Sequence, residues 1–146
     1  MTLPVRLRNG GRLPRAEVPR LPVARFRQEI LDGVQAGGRI AALFGLPAAA
    51  GDLDLVGVLA FGASGELGVA GTRVGDRYPA LTPDCPQAHA FEREIAEQWG
   101  VLPEGHPWLK PIRFPPASRA AGSRASPRQA ATGWTDFFRV EGEEVH

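Results

Sequence analysis

Hydrophobic residues recur with two different periods along the first hundred residues, and the change of period separates helices from strands. From Val23 to Ala36 the apolar side chains fall three to four residues apart, which predicts a helix that ends at Gly37-Gly38. Its predicted buried stripe is Val23, Phe26, Ile30 and Val34, and Arg25, Gln28, Glu29 and Asp32 are predicted to lie mostly off it. From Arg39 the period becomes two, which is typical of a strand. In that strand Ile40, Ala42 and Phe44 are predicted to share one face.

Further strands are predicted on both sides of this one. Residues 53–61 are apolar at nearly every position, as expected for a strand at the centre of a sheet, and residues 67–74 follow after a glycine-containing turn. Residues 5–13 alternate around Asn9-Gly10-Gly11, which predicts an N-terminal β-hairpin. Residues 108–114 are predicted to form a last strand.

A second, charged helix is predicted between Pro86 and Gly100. Asp84 or Cys85 can cap it, and Pro86 fits the first helical position, where its missing N–H costs nothing. The predicted apolar stripe is Ala88, Phe91, Ile95 and Trp99, with Arg93 and Glu97 on the opposite side. A base placed before an acid is the less favourable order within a helix, so partners outside the helix are predicted for these two charges.

Together these patterns predict a two-layer α+β fold, in which two main helices pack on one face of a mixed or antiparallel sheet with an N-terminal hairpin. The predicted domain covers residues 1–116. Residues 117–133 are rich in Ala, Ser, Arg, Gly and Pro, which predicts a flexible linker, and residues 134–146 form an aromatic, strand-like segment.

Composition excludes several classes of function. The 146 residues suit one domain, contain no apolar run of membrane-spanning length and begin without a signal peptide, so a cytoplasmic protein is expected. The net charge is +1, and the arginines are scattered rather than gathered in a stripe, which argues against nucleic-acid binding. A single cysteine, Cys85, excludes an internal disulfide and any iron–sulfur or nickel site built from this segment's own thiolates.

The candidates for chemistry each have a structural alternative. Cys85 with His89 has the spacing of a nucleophile and base, although a lone cysteine beside a helix start is more often a small filler residue. The three histidines, His89, His106 and His146, lack metal-site spacing. Gly105-His106-Pro107 is interpreted as a structural turn whose ring donates to a backbone carbonyl. Trp99 and Trp108 are interpreted as core or docking aromatics.

The stretch from Tyr78 to Lys110 resembles a known family: the C subunit, or thirty-kilodalton subunit, of respiratory NADH:quinone oxidoreductase, and the related N-terminal domain of energy-converting [NiFe] hydrogenase large subunits. The residues that carry the resemblance are Tyr78-Pro79-Ala80-Leu81-Thr82, Pro86-Gln87-Ala88, Glu92-Arg93-Glu94, Glu97, Trp99-Gly100-Val101, Gly105-His106-Pro107 and Lys110. The chain departs from the family pattern at Ala90, Gln98 and Pro111.

The resemblance implies a noncatalytic structural and assembly domain that docks onto a hydrogenase-type large subunit beside an iron–sulfur small subunit. It implies no cofactor in this segment, with iron–sulfur clusters, and nickel–iron or quinone, on partner modules. It implies a location on the cytoplasmic side, at the inner face of the membrane, through the complex alone. The implied interface residues are Glu92, Arg93, Glu94, Glu97, Trp99, Gly100, Gly105, His106, Pro107 and Lys110. Residues 134–146 resemble the start of the large-subunit module, which implies a fused, longer polypeptide.

One alternative of a different class stays open at this point. Glu92, Glu94 and His106 could serve a small stand-alone enzyme or ligand-binding domain, because two carboxylates and an imidazole suffice for acid–base chemistry. The sequence also leaves open whether the downstream module keeps nickel ligands or reacts with quinone.

Overall fold

The computed structural model of the protein describes residues 4–112. The elements in chain order are β1 (Val5–Arg8), α1 (Val23–Gln35), β2 (Arg39–Pro47), β3 (Leu53–Phe61), β4 (Glu66–Val74), β5 (Arg77–Pro79), α2 (His89–Trp99) and β6 (Leu102–Glu104). Short 3-10 turns lie at Arg15–Glu17, Ala49–Gly51 and Pro86–Ala88. The predicted linker at 117–133 and the aromatic segment at 134–146 lie outside the described residues.

The strands form a four-stranded antiparallel sheet in the order β1-β4-β3-β2 and a separate parallel pair, β5-β6. The predicted α+β class is therefore confirmed, including the central position of the nearly apolar β3. The parallel pair is joined through α2, as parallel strands require a crossover connection. Residues 77–104 thus form a small β-α-β unit beside the main sheet.

Both helices pack on the same face of the sheet. A Cβ at Gly57 would lie 2.7 Å from Ile30 Cδ1 of α1, and a Cβ at Gly45 would lie 2.9 Å from the Trp99 indole of α2. The antiparallel register puts these two glycines on one face, because Gly57 pairs with Leu43 and Gly45 with Leu55. The core lies between this face and the helices, and its largest fully buried apolar members are Ile30, Leu53, Leu55, Leu59, Leu81, Ile95 and Val101.

A β-bulge in β2 makes one facing prediction wrong. Ile40 and Phe44 were expected on a common face, but the register shifts between Ile40 and Ala42. An extra residue in one strand reverses the facing of every residue after it. Ile40 is therefore buried on the helix side, whereas Phe44 lies on the other side and is 40% exposed.

The predicted N-terminal hairpin is wrong, although its turn is present. Gly10 has φ of 83°, and Gly11 N–H donates to Arg8 O at 2.9 Å. The chain does not return beside β1, which instead pairs with β4 from Val5↔Val69 to Arg8↔Glu66. Only two residues separate this turn from Pro14, too few for a returning strand, whereas β4 offers a full edge. The segment continues to Arg20, which forms a parallel bridge with Gly71 of β4.

An arginine cluster holds this N-terminal segment against the sheet. Asp54 of β3 is 7% exposed. It accepts hydrogen bonds from Arg73 Nε at 2.8 Å, from Arg20 at 3.1 Å and from Arg15 at 3.4 Å. The hydrogen bond from Arg73 is the largest cause that lowers the pKa of Asp54 from its ordinary 3.8, while burial opposes it. Since Arg15 and Arg20 lie in the segment between β1 and α1, Asp54 joins that segment to the sheet.

The Asp54 cluster predicts a stability that depends on pH. A carboxyl with a lowered pKa in the fold contributes stability above its unfolded pKa and loses it as acid protonates the folded state. We expect Asp54→Asn to lower the free energy of unfolding by about 1–3 kcal/mol at pH 7, and the difference to shrink below about pH 4. Urea unfolding of both proteins across this range measures the difference. A difference that stays constant down to about pH 2.5 would contradict the assignment.

The predicted strand at 108–114 is also wrong for its described part. Residues 108–112 are not a strand, and the last strand is β6, at Leu102–Glu104. β6 forms earlier because Leu102 follows Gly100, whose left-handed backbone (φ 67°) turns the chain back along β5. Among residues 4–112, no helix combines the length and the apolar character needed to cross a bilayer.

Candidate functional site

Helix α2 carries the charged motif, and each of its three sides has a different environment. Positions 88, 92, 95 and 99 face the core, positions 89, 93 and 97 face residues 106–112, and positions 91, 94 and 98 line a cavity beside β2. Each set has the three- or four-residue spacing of one helix side. Residues 105–112 are called the return segment below, because they fold back along α2.

Glu92 is part of the core side and is fully buried, with 0% of its surface exposed. Its Oε1 accepts a hydrogen bond from Leu81 N–H at 2.7 Å. Its Oε2 accepts from Thr82 N–H at 3.0 Å and from the Thr82 hydroxyl at 2.6 Å. A buried carboxylate is stable when donors satisfy both oxygens. Glu92 therefore fixes the extended segment before α2 onto the helix.

Two other titratable groups near this carboxylate are held in their neutral forms. Burial, and then the negative charge of Glu92, raise the pKa of the Tyr78 hydroxyl far above its ordinary value. That hydroxyl has no hydrogen bond of normal geometry within residues 4–112. Burial likewise raises the pKa of Cys85, which is 2% exposed. A protonated, buried thiol is a poor nucleophile, so the geometry favours Cys85 as a filler residue.

The second side of α2 binds the return segment in sequence order. His89 stacks on Trp108 with ring centroids 5.8 Å apart. Arg93 donates to the backbone carbonyls of Lys110 at 2.6 Å and Pro111 at 3.0 Å. The contacts end at Glu97, whose carboxylate accepts from Ile112 N–H at 2.7 Å. The predicted partners outside the helix for Arg93 and Glu97 are thus present, and they belong to the same chain.

Trp108 is the most exposed large hydrophobic residue of the described part, at 50%. The Arg93 guanidinium lies 4.8 Å from its ring centroid and the Lys110 ammonium 5.2 Å. Cations over an indole are attracted by its π face. The indole is therefore held in place while half of its surface stays accessible, together with the neighbouring Leu109.

The turn at Gly105-His106-Pro107 has the geometry that the sequence predicts. Gly105 has φ of 84°, a conformation that favours glycine. His106 Nδ1 accepts from Trp108 N–H at 3.1 Å, which leaves the proton on Nε2, 3.3 Å from His89 O. The ring thus donates to a backbone carbonyl and joins the return segment to the first turn of α2.

The third side of α2 faces the edge of the sheet. A cavity of about 140 Å³ lies between α2 and β2. Its lining residues are Ala42, Leu43, Phe44, Gly45, Phe91, Glu94, Ile95 and Gln98. Glu94 is therefore on a different side of the helix from Glu92 and from the His106 contact. The three residues proposed for acid–base chemistry are not brought together.

This stretch matches a known protein family. Residues 66–122 match the family described as respiratory-chain NADH dehydrogenase, 30 Kd subunit. That match confirms the resemblance to the thirty-kilodalton subunit of NADH:quinone oxidoreductase, while the resemblance to the hydrogenase domain stays a prediction. All the contacts between α2, the extended segment before it and the return segment, up to Ile112, fall within the part that matches this NADH dehydrogenase family.

A curated protein is also similar to this chain. The NADH-quinone oxidoreductase C/D subunit of Nitrosospira multiformis is 35% identical over 80 residues, which cover 54% of this chain and 13% of that protein. The chain therefore spans a small part of the length of this relative. Within residues 4–112, no group of three His, Cys, Asp or Glu side chains is placed to hold a metal ion.

The residues implied by the resemblance to the NADH dehydrogenase family divide into internal and accessible ones. Glu92 is buried, and Trp99 packs partly buried against Gly45. Gly100 ends α2 in the left-handed conformation. Gly105, Pro107 and Lys110 lie exposed on the return segment. The sequence named Thr82 only as part of the motif, without its contact to Glu92, and it missed Arg27. Glu92 lies four residues after Ala88 and three before Ile95, and this position beside apolar residues was a signal for buried donors.

Besides Glu92, Arg27 also holds the extended segment before α2 in place. It lies on α1, donates from Nε to Ala80 O at 3.1 Å and pairs with Asp84. No periodicity connects residues so far apart in sequence, so this contact was not predictable from pattern. It ties α1 to the start of the motif stretch.

Arg93 now predicts a local effect on stability. We expect Arg93→Ala to lower the free energy of unfolding by about 1 kcal/mol, because two hydrogen bonds and one cation–π contact are lost at a part-exposed site. We also expect the Trp108 fluorescence to shift to longer wavelength as the return segment loosens. Arg39→Ala, at an exposed position on β2, is the control and should change neither property. An unchanged Trp108 emission in Arg93→Ala would show that Arg93 does not hold the segment.

Proposed function

We propose that this chain is a noncatalytic structural and assembly domain of a membrane-associated electron-transfer complex, of the NADH:quinone oxidoreductase or [NiFe] hydrogenase type. The observation that supports the proposal is that charged residues of the motif form hydrogen bonds within the fold. Glu92, Arg93 and Glu97 each bind backbone groups of the same chain. Groups that hold a backbone in place are poorly suited to moving protons to and from a substrate.

The proposed partner is a large subunit of the hydrogenase type, with an iron–sulfur small subunit beside it. The similarity to a protein whose name joins two subunit designations, C and D, supports a large-subunit module that follows in the same polypeptide. Iron–sulfur clusters, and nickel–iron or quinone, would belong to those partner modules. The complex would hold this domain at the inner face of the membrane.

The proposed docking surface is Trp108 to Lys110 on the return segment. Interface centres favour Trp and Arg held in fixed positions with accessible apolar area. Trp108 and Leu109 are 50% and 38% exposed, and Arg93 and Lys110 flank the indole. The contacts of the indole with Arg93, Lys110 and His89 position it before binding, which would reduce the ordering cost of association.

The alternative, a stand-alone enzyme or ligand-binding domain that uses Glu92, Glu94 and His106, has less support. Glu92 is buried with its oxygens satisfied, and His106 is engaged with backbone groups of residues 89 and 108. Turnover or tight binding of a small molecule by the purified chain would favour this alternative. We expect the purified chain to be colourless, metal-free and inactive with hydrogen, NADH or quinone.

Copurification from the native host tests the proposal. The tagged full-length gene product should carry iron–sulfur and membrane subunits with it. We expect Leu109→Asp to reduce their recovery about tenfold and to leave the fold intact. Leu102→Asp is the matched control, because Leu102 is 43% exposed but lies on β6, outside the proposed surface. Full recovery with Leu109→Asp, or equal loss with both changes, would refute this docking surface.

A further inference from the structure

The imidazole of His106 makes a contact that requires its neutral form. Its Nδ1 accepts a hydrogen bond from Trp108 N–H at 3.1 Å, and its Nε2 lies 3.3 Å from His89 O. A neutral imidazole has one donor and one acceptor nitrogen, whereas a protonated imidazole has two donors. Protonation of Nδ1 would therefore turn two donors toward each other at the Trp108 amide. The contact with His89 O would be kept.

The surroundings of this ring are aromatic and cationic. The rings of His89 and His106 lie 5.3 Å apart, and His89 stacks on Trp108. The Arg93 guanidinium and the Lys110 ammonium lie over the same indole. A positive charge on either imidazole would join these two cations, and like charges that lie close together disfavour the charged form. His89 is also the first residue of α2, where the helix dipole disfavours a cation.

Two carboxylates close to this group contact other parts of the chain. Glu104, two residues before His106, pairs with Arg77 of β5 at 3.1 Å. Glu97 lies on the side of α2 that binds the return segment, and it accepts from Ile112 N–H at the far end of that segment. Loss of the Trp108 contact would therefore loosen the start of the return segment, while the hydrogen bonds to Arg93 and Glu97 hold residues 110–112.

Histidine is the side chain whose charge ordinarily changes between about pH 5 and 8. We propose that His106 is a pH-sensitive switch in the proposed docking surface: its neutral ring holds Trp108, and protonation at Nδ1 releases Trp108 and Leu109 from α2. An effect of this switch on docking rests on the proposed function, whereas the Trp108 amide can be followed without a partner.

Hydrogen exchange at single amides of the full 146-residue chain tests the switch. Each exchange rate is divided into that of an unstructured peptide at the same pH, so that the ordinary effect of pH on exchange cancels. We expect this protection of the Trp108 amide to fall at least about tenfold between about pH 7.5 and about pH 5.5. The Ile112 amide, which Glu97 holds, is the internal control and should keep its protection.

Two variants at position 106 should give opposite results. His106→Asn keeps an acceptor oxygen near the position of Nδ1 but takes up no proton, so the Trp108 amide should stay protected at both pH values. His106→Ala removes the acceptor and should leave that amide unprotected at both. His89→Phe keeps an aromatic ring on Trp108 without a titratable nitrogen, and it should retain the fall in protection. Circular dichroism checks that each variant is folded.

Four results would overturn the proposal. They are a Trp108 amide without protection near pH 7.5, protection that does not change on acidification, a fall that persists in His106→Asn, and a fall that disappears in His89→Phe. Failure of the docking surface is a separate result. If the Trp108 amide responds as expected while Leu109→Asp leaves copurification unchanged, the switch is supported and the proposed docking surface is refuted.

Discussion

Replacing Glu92 by alanine should cost about 3–5 kcal/mol of unfolding free energy, a large share of the stability of a domain this size. The side chain satisfies two backbone N–H groups and one hydroxyl at the buried Leu81 and Thr82. Removing it leaves all three donors without an acceptor and opens a space in the core. Each unsatisfied buried donor costs about 1–3 kcal/mol.

Chemical denaturation measures this effect, and two further variants make it specific. Glu92→Gln should also be strongly destabilising, because its NH₂ group would face a donor where a second acceptor is needed. Glu94→Gln, two residues further on and outside the core, should change the free energy by less than about 1 kcal/mol. If Glu92→Ala and Glu94→Gln were equally tolerated, the conclusion that Glu92 fixes the extended segment onto α2 would be wrong.

Ile95→Ala is expected to destabilise the domain by about 2–5 kcal/mol. Ile95 is 2% exposed and lies in the core cluster, so the shortened side chain leaves a cavity that a packed interior fills only in part. Ile95→Val removes a single methylene and should cost about 0.5–1.5 kcal/mol. The graded loss distinguishes cavity formation from a general disturbance of α2.

The loss of stability in Ile95→Ala is also a reference for the effect of Arg93→Glu. If Arg93 contacted a partner subunit alone, Arg93→Glu would leave the melting temperature of the isolated domain nearly unchanged and weaken assembly with the large subunit. The contacts with Lys110 O and Pro111 O instead predict a small loss of stability in the isolated chain. A loss for Arg93→Glu as large as that of Ile95→Ala would place the return segment within the cooperative fold. No loss of stability would indicate that Arg93 contacts a partner subunit and does not stabilise its own chain.

The local sequence pattern was sufficient to predict those elements whose structure depends mainly on their own residues. The spacing of apolar residues predicted α1 to within a residue of its observed end, and the continuous apolar run predicted β3 with its observed bounds. The limits of the second helix were equally local, since Pro86 and Gly100 lie where the helical region begins and ends; the predicted side-chain cap is wrong, because Cys85 at the N-cap makes no side-chain hydrogen bond to the helix and Asp84 pairs with Arg27. These features depend on neighbours within a few positions along the chain.

The misses share a different physical origin, namely competition between distant partners. The turn at Gly10 is present, but β1 pairs with β4 because β4 offers the longer edge. Glu29 was expected off the buried stripe of α1, yet it is 3% exposed and paired with Arg25 at 2.6 Å. The bulge at Ile40 and the Arg27 contact also depend on residues from other elements. For the candidate site, the sequence located the motif and correctly placed Arg93 and Glu97 off the apolar stripe, but it did not predict that Glu92 is buried.

The way Arg93 holds the return segment has a consequence for which sequences this path can tolerate. Its guanidinium donates to the carbonyl oxygens of residues 110 and 111, and the Glu97 carboxylate accepts from the N–H of residue 112. Main-chain groups are the same in almost every amino acid, so these three contacts specify the course of the backbone at residues 110–112 without using the side chains there. Pro111 illustrates this freedom, since a proline lacks an N–H but keeps the oxygen that Arg93 requires. The side chains displayed at residues 110–112 can therefore diversify without rearrangement of the backbone that carries them.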